Sequence, residues 1–281
     1  MLEILTYQFM QWALLAAIVT GVLCSCIGVF VTLRGLTFMG GGIVHAAFAG
    51  AAFAIMLSVN YGIRTDPLLF ALIFALVSAL IIGHLSERGG MRLDVAIGVM
   101  FALTMAFAIL FIGMMDQYTS DIYGILFGDI LSVGRDRTIT MIILGTIVLL
   151  LLLLFFKEFE FIIFDQEMAE ASGIPARPLF YLLLTLIAIT IAVSLRSVGA
   201  LLVLALIVTP AAAGGQLTHD IRKMIALSII FGVTSSIGGL FASWYLDLPS
   251  GSMIVIIVSL IFFVSFIISP KQRRLRTLGG T

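Results

Sequence analysis

Long apolar stretches dominate this chain and leave only short polar segments between them. A helix that crosses a lipid bilayer needs about 20 predominantly apolar residues. The windows that meet this requirement are 10–33, 40–59, 67–85, 95–115, 138–156, 179–195, 198–214, 223–244 and 252–269. The pattern therefore predicts an all-α, polytopic membrane helical bundle of about eight or nine transmembrane helices.

Composition supports the same class of protein. Of 281 residues, 62% are hydrophobic and 11% are charged, and the mean hydropathy of +1.23 lies far outside the soluble range. We expect one transmembrane domain over residues 1–281. The formal net charge is zero, so no electrostatic attraction favours nucleic acid. Residues 1–10 carry only Glu3 as a charge and lack a basic segment, so we expect no cleaved signal peptide.

The connection around Arg196 leaves two span counts open. Windows 179–195 and 198–214 are separated by so few residues that two complete spans require a tight turn between them. With that turn the chain has nine spans. Without it, the chain has eight spans and a re-entrant segment.

Basic residues predict the orientation, because cytoplasmic loops of membrane proteins carry an excess of Lys and Arg. With nine spans and the N-terminus outside, eleven basic residues lie at inner loops and four at outer loops. This places segment 164–178 in the cytoplasm, in a multi-pass membrane protein. The basic tail at 271–276 is expected to lie against the headgroups of membrane lipid.

Segment 164–178 is a polar island between two apolar spans. It has a Glu- and Ala-rich core followed by Gly173, a residue that commonly ends helices. A short charged helix at the membrane face is suited to docking in the cleft of a soluble motor domain. We therefore expect a cytoplasmic coupling helix at about 164–175 that binds an ATPase subunit. The residues assigned to it are Glu167, Ala169, Glu170, Ala171 and Gly173.

A second short helix is expected on the outer face at about 120–132, where apolar residues recur at helical spacing. Asp121 and Asp129 lie on its polar side. The helix either caps the bundle or forms a rim for a soluble protein that delivers a ligand. In the second case Asp121, Asp129 and Asp247 would face that protein.

Enzymatic chemistry has no support, because no span holds an acidic residue near its centre and no Ser/His/Asp or metalloprotease pattern is present. We therefore expect a non-enzyme without a cofactor. Missing midplane carboxylates also argue against a secondary carrier coupled to protons or sodium.

His45 is an ionisable side chain inside a span and follows three consecutive glycines. An imidazole suits borderline divalent metal ions, so one hypothesis makes His45 a pore-lining ligand with Met39 as a soft neighbour. The other hypothesis is close helix packing, with the imidazole bonded to a carbonyl.

Thr209 and Pro210 interrupt the seventh window, since proline removes a backbone hydrogen bond and bends a helix. The bend serves either as a packing kink or as a moving gate.

Several motifs, taken in order, resemble the integral-membrane permeases of zinc, manganese and iron ABC importers. They are LRGLTFMG at 33–40 with His45, DVAIGVMFAL at 94–103, YGILFGDIL at 123–131, FDQEMAEASGIP at 164–175, VGALLVLA at 198–205 leading to PAA at 210–212, and YLDLPSG at 245–251. The resemblance implies a fold like that of the type II ABC importers and a location in the plasma membrane of a prokaryotic cell. It also implies a homodimer with the pore between the subunits, two cytoplasmic ATPase subunits, and an extracytoplasmic protein that delivers the metal ion.

The chain departs from the pattern of that family at two positions. Family members carry Asp and Ser where this chain has Gly41 and Val44, although His45 is kept. The resemblance implies that an Asp/His pair contacts the cation transiently, so that contact is expected to be weaker here. A permease for a metal chelate is therefore an alternative, followed by an ATP-independent secondary carrier and by a membrane-embedded assembly subunit.

Overall fold

The structure, a computed structural model, describes residues 7–87, 90–115, 124–126, 128 and 130–270, without the Ser132 side chain. Its helices are α1 (Gln8–Leu33), α2 (Thr37–Tyr61), α3 (Pro67–Glu87), α4 (Leu93–Gly113), α5 (Arg135–Leu154), α6 (Phe156–Phe164), α7 (Gln166–Ala171), α8 (Ala176–Val198), α9 (Ala200–Leu217), α10 (Ile221–Leu246) and α11 (Ser250–Ile268). Nine helices in these ranges, α1–α5 and α8–α11, are long and apolar enough to cross a membrane. The predicted all-α polytopic bundle is confirmed, with nine spans.

A single residue, Gly199, joins α8 to α9. Its φ of +86° lies in the region that disfavours side chains with a Cβ, so glycine permits the tight turn that two complete spans require. Gly128, which lies between α4 and α5 in the chain, packs against this turn. A Cβ built on Gly128 would lie 1.8 Å from the carbonyl oxygen of Val198. The helices on both sides of the turn are each long and apolar enough to cross a membrane, which favours nine spans over eight spans with a re-entrant segment.

The spans form an inner and an outer set. Most residues of α1, α2 and α8 are buried, whereas at most 28% of the residues in the apolar windows of α4, α5 and α11 are buried. Glycines bring the inner backbones together: a Cβ on Gly28 of α1 would lie 1.9 Å from the Ile207 carbonyl oxygen of α9. Small residues serve this purpose in membranes, where helices associate through close packing rather than through exclusion of water.

The short elements lie at the two ends of the bundle. We call the end that carries α6 and α7 the inner end, and the opposite end the outer end. At the outer end, the Ile130 N–H in a 3-10 turn (Ile130–Ser132) donates to Ser250 Oγ at 3.2 Å. Arg196 of α8 pairs there with Asp66 before α3. Within the predicted outer helix at 120–132, residues 124–126 are helical and the remaining described part is Gly128 and this turn.

Candidate coupling helix and metal contact

The α7 helix has defined caps at both ends. Asp165 precedes it, and its carboxylate accepts a hydrogen bond from the Met168 N–H at 2.9 Å. At the other end Gly173 has φ +83°. The Gly173 N–H donates to the Glu170 carbonyl and the Ile174 N–H to the Ala169 carbonyl, both at 3.0 Å. These two bonds form a Schellman motif, so the sequence terminates the helix without help from distant residues.

One side of α7 is packed and the other is open. Ala169 is fully buried, while Glu167, Glu170 and Ala171 are exposed. Two apolar side chains flank the acids in the open: Phe164 is 66% exposed and Met168 is 60% exposed. Exposed apolar side chains rimmed by polar residues are typical of a surface that binds a protein or a membrane.

Arg34, at the C-terminus of α1, attaches α6 and α7 to the first span. Its guanidinium donates to the Ile162 carbonyl at 2.9 Å and to the Oε1 atom of Gln166. The guanidinium also lies 5.7 Å from the centre of the Phe180 ring on α8. Burial lowers the pKa of Arg34, and the Glu87 carboxylate raises it. Arginine stays charged under either influence, so the bond to α7 persists at any physiological pH.

Glu87, at the end of α3, extends this arrangement. Its Oε1 accepts from the Gln166 amide at 3.0 Å, and its Oε2 lies 3.9 Å from Nε of Arg177. Arg177 in turn lies 3.7 Å from a carboxylate oxygen of Glu170. We call Arg34, Glu87, Gln166, Glu170 and Arg177 the inner-end network. It joins the ends of α1, α3 and α8 to α7 and fixes the position of that helix against the bundle.

His45 is a partly exposed residue within a buried stretch of α2. Between Met39 and Ala52, every residue except His45 is buried. The His45 Nδ1–H donates to the Gly41 carbonyl at 2.8 Å, because a carbonyl can only accept. In the neutral ring this leaves the lone pair on Nε2, the form that binds a metal ion. The Phe101 ring of α4 lies 4.5 Å away, centre to centre.

The structure does not bring Met39 to the same face as His45. Met39 is fully buried in the main core, and six residues of helix place it about 240° around the axis from His45. Among the described residues there is no group of three or more His, Cys, Asp or Glu side chains that could hold a metal ion. Among the described residues of this chain, His45 therefore has no neighbouring His, Cys, Asp and Glu cluster that would complete a metal site.

Gly41 has room for a side chain. A Cβ built there meets Leu204 Cδ1 at 4.0 Å, an ordinary contact distance. The aspartate expected from the family resemblance is thus absent without any steric reason in the surrounding helices.

Thr209 and Pro210 lie inside α9, and the helix continues through them to Leu217. The predicted interruption of this span is not observed. Pro210 is buried and Thr209 is half-buried. Their role as a gate stays a prediction.

Asp247 ends α10 with φ 54°, and it is the non-glycine residue with positive φ among the described residues. Asp tolerates this conformation, so a structural role competes with a role in protein binding. Asp121 and Asp129 lie outside the described residues. The assignment of all three to the binding-protein face therefore stays a prediction.

The sequence analysis did not single out four residues that the structure joins in the inner-end network: Arg34, Glu87, Gln166 and Arg177. Arg34 and Arg177 were counted only as basic residues of inner loops. The available signal was the placement of each at the end of a predicted span or beside the polar island.

Comparison with known proteins identifies the family. The family model described as the ABC 3 transport family matches residues 6–269. The chain is 37% identical over 270 residues to the manganese transport system membrane protein MntC of Halalkalibacterium halodurans, covering 96% of this chain and 90% of that protein. It is 36% identical over 270 residues to the manganese import system permease protein ScaB of Streptococcus gordonii, covering 96% and 95%.

A solved structure agrees with the sequence relatives. The fold superposes with a TM-score of 0.84 on a chain of PsaBC from Streptococcus pneumoniae in complex with Fab, at 35% identity, covering 96% of this chain and 95% of that one. The protein described here is therefore a multi-pass membrane permease that belongs to the ABC 3 transport family of metal importers.

Proposed function

We propose that the chain is the permease subunit of an ATP-driven importer for a divalent transition metal ion, with manganese as its first candidate cargo. The names of relatives at 37% and 36% identity support manganese over zinc and iron. The permease would act as a homodimer with the pore between its subunits. ATPase subunits would bind α7 in the cytoplasm, and an extracytoplasmic metal-binding protein would bind the outer end.

The observation that carries this proposal is the exposed face of α7, held rigidly by the inner-end network. A helix of six residues has little stability of its own, so its position comes from its caps and from Arg34 and Gln166. Force applied to the exposed side of α7 would be passed by Arg34 to the C-terminus of α1. The α2 helix, which carries His45, begins three residues later.

His45 would contact the metal ion in transit. Its Nε2 lone pair is available, and a single imidazole binds a divalent ion weakly enough for release. The pairing of two subunits would bring two such residues to one pore. Met39 was a candidate ligand as well, but its complete burial favours a packing role.

Metal content and uptake in cells with and without the gene test this function. We expect deletion to lower cellular manganese, and expression of the chain together with its ATPase to restore uptake. Uptake unaffected by an inactivated ATPase would contradict the ATP-driven mechanism. Competition separates the cargoes: inhibition by free manganese supports an ion, whereas inhibition only by a metal chelate favours the alternative to which Gly41 leaves room.

A further inference from the structure

A groove of about 320 Å³ lies between α1, α5 and α10 near the inner end. Its floor consists of Cys26, Phe30 and Leu152, each of which is nearly or fully buried. Leu153 on its rim is 71% exposed, so the groove opens onto the outer surface of the spans. The lining is apolar except at one end, where Arg222 lies.

Arg222 stands at the first turn of α10 with an exposed side chain. The guanidinium lies 6.0 Å from the centre of the Phe156 ring, which also lines the groove. No carboxylate among the described residues forms an ion pair with it. The nearby Asp220 carboxylate is engaged by the backbone, since it accepts from the Arg222 and Lys223 N–H groups at 2.8 and 3.4 Å.

The surroundings of the groove are those of lipid rather than of water. An exposed aliphatic row of Ile143, Ile147, Leu150 and Leu153 runs along α5 and ends at the groove rim. In a membrane this row faces acyl chains. The cation of Arg222 then lies at the level where a spanning segment ends, which is where lipid phosphates lie.

We propose that this groove binds one anionic phospholipid, with an acyl chain over Leu153, Phe156 and Ile225 and the phosphate on Arg222. Guanidinium forms paired hydrogen bonds with phosphate oxygens, and each buried methylene of the chain adds to the affinity. The bound lipid fills the groove between α1, α5 and α10 and neutralises Arg222. This site does not depend on the transported cargo.

The test uses the full-length permease purified in detergent. The protein is mixed with phosphatidylglycerol and phosphatidylcholine of identical acyl chains, and retained lipid is counted by native mass spectrometry. We expect one phosphatidylglycerol to be retained in preference to phosphatidylcholine. Arg222→Gln should lower its occupancy roughly fivefold. Lys223→Gln is the matched control, because this neighbouring exposed cation does not line the groove, and it should leave the occupancy unchanged.

A second variant tests whether the groove itself, rather than the charge at the surface, retains the lipid. Ile225→Trp places bulk in the groove and should remove both lipids, while the helix content by circular dichroism stays that of the unmodified protein. Equal loss in Arg222→Gln and Lys223→Gln would overturn the site in favour of diffuse attraction. Displacement by inorganic phosphate alone would overturn the acyl-chain contribution. A change of oligomeric mass in Ile225→Trp without lipid loss would mean that a second copy covers the groove.

Discussion

Arg34 is the residue on which the arrangement of the inner end depends. Its guanidinium bonds to the Ile162 carbonyl and to Gln166 while half-buried, so its removal leaves acceptors without their donor. Hydrogen bonds to charged groups contribute about 1.5–3 kcal/mol each, more than neutral ones. The planar fork of the guanidinium, which lysine lacks, serves both partners at once.

We expect Arg34→Met to uncouple ATP hydrolysis from uptake, because the link from α7 to α1 is lost. Arg34→Lys keeps the charge but not the fork, so it should restore coupling only in part. Metal uptake per ATP hydrolysed, measured in proteoliposomes, checks this ratio. Arg92→Met is the control: Arg92 pairs with Asp94 at 2.8 Å at an exposed position, where ion pairs contribute little. Normal coupling in Arg34→Met would contradict the role of Arg34.

His45→Ala should slow metal uptake roughly tenfold without loss of the ATPase complex, because it removes the imidazole that would contact the ion. A tenfold change corresponds to about 1.4 kcal/mol. The measurement is the initial rate of manganese uptake in cells. His219→Ala serves as the control, because His219 is exposed at the inner end beside α10. Wild-type rates in His45→Ala would leave His45 as a packing residue.

Gly41→Asp should tighten manganese binding several-fold, because it adds a carboxylate one helical turn before His45. Oxygen ligands suit manganese, and the Cβ at position 41 has free space. Isothermal titration of the purified permease with manganese measures the change. Gly41→Ala supplies the same backbone without the carboxylate. Equal affinities in the two variants would show that position 41 does not face the ion.

At the scale of elements, α7 combines local and distant support. Its caps are encoded within ten residues, from Asp165 to Ile174, whereas Gln166 reaches Arg34 and Glu87 at the ends of other helices. The α9 helix continues through Pro210 and packs closely on α1, where Gly28 approaches the Ile207 carbonyl.

Gly173→Trp should abolish ATPase association while the permease still inserts in the membrane. The φ of +83° costs an L-residue roughly 1–2 kcal/mol, and the indole adds bulk beside the exposed acids. Co-purification with the ATPase is the measurement. Gly62→Trp carries the same strain at the other end of the bundle, with φ +67° and open space, so it should leave association intact. Glu170→Arg is expected to act like Gly173→Trp, and unchanged co-purification in both would refute the docking surface.

At the scale of the whole molecule, the inner spans are held together at glycines, where the backbones of neighbouring helices come close to each other. Gly28→Leu should prevent stable folding, because its Cβ would lie 1.9 Å from the Ile207 carbonyl oxygen and neither backbone can yield. Overpacking alone costs about 1–3 kcal/mol, and a clash with backbone costs more. Thermal unfolding followed by the monodisperse fraction measures this loss. Gly98→Leu, with nothing within 4 Å, should fold normally.

The residue sequence alone predicted eight or nine spans and a short helix at about 164–175 with its terminating glycine, and it singled out His45. These features are local, because the hydropathy of about 20 consecutive residues decides a span and a few neighbours decide a cap. Orientation also follows from the sequence, as a prediction that a topology reporter fused near Gly173 would check.

Tertiary structure alone decided which of these residues meet. The bond from Arg34 to Ile162 joins positions 128 residues apart, and no local pattern marks it. Met39 is fully buried whereas His45 is partly exposed, and α9 continues as a helix through Pro210. The physical reason is that exposure and pairing belong to the surroundings that several helices create together, whereas a span or a cap belongs to the segment itself.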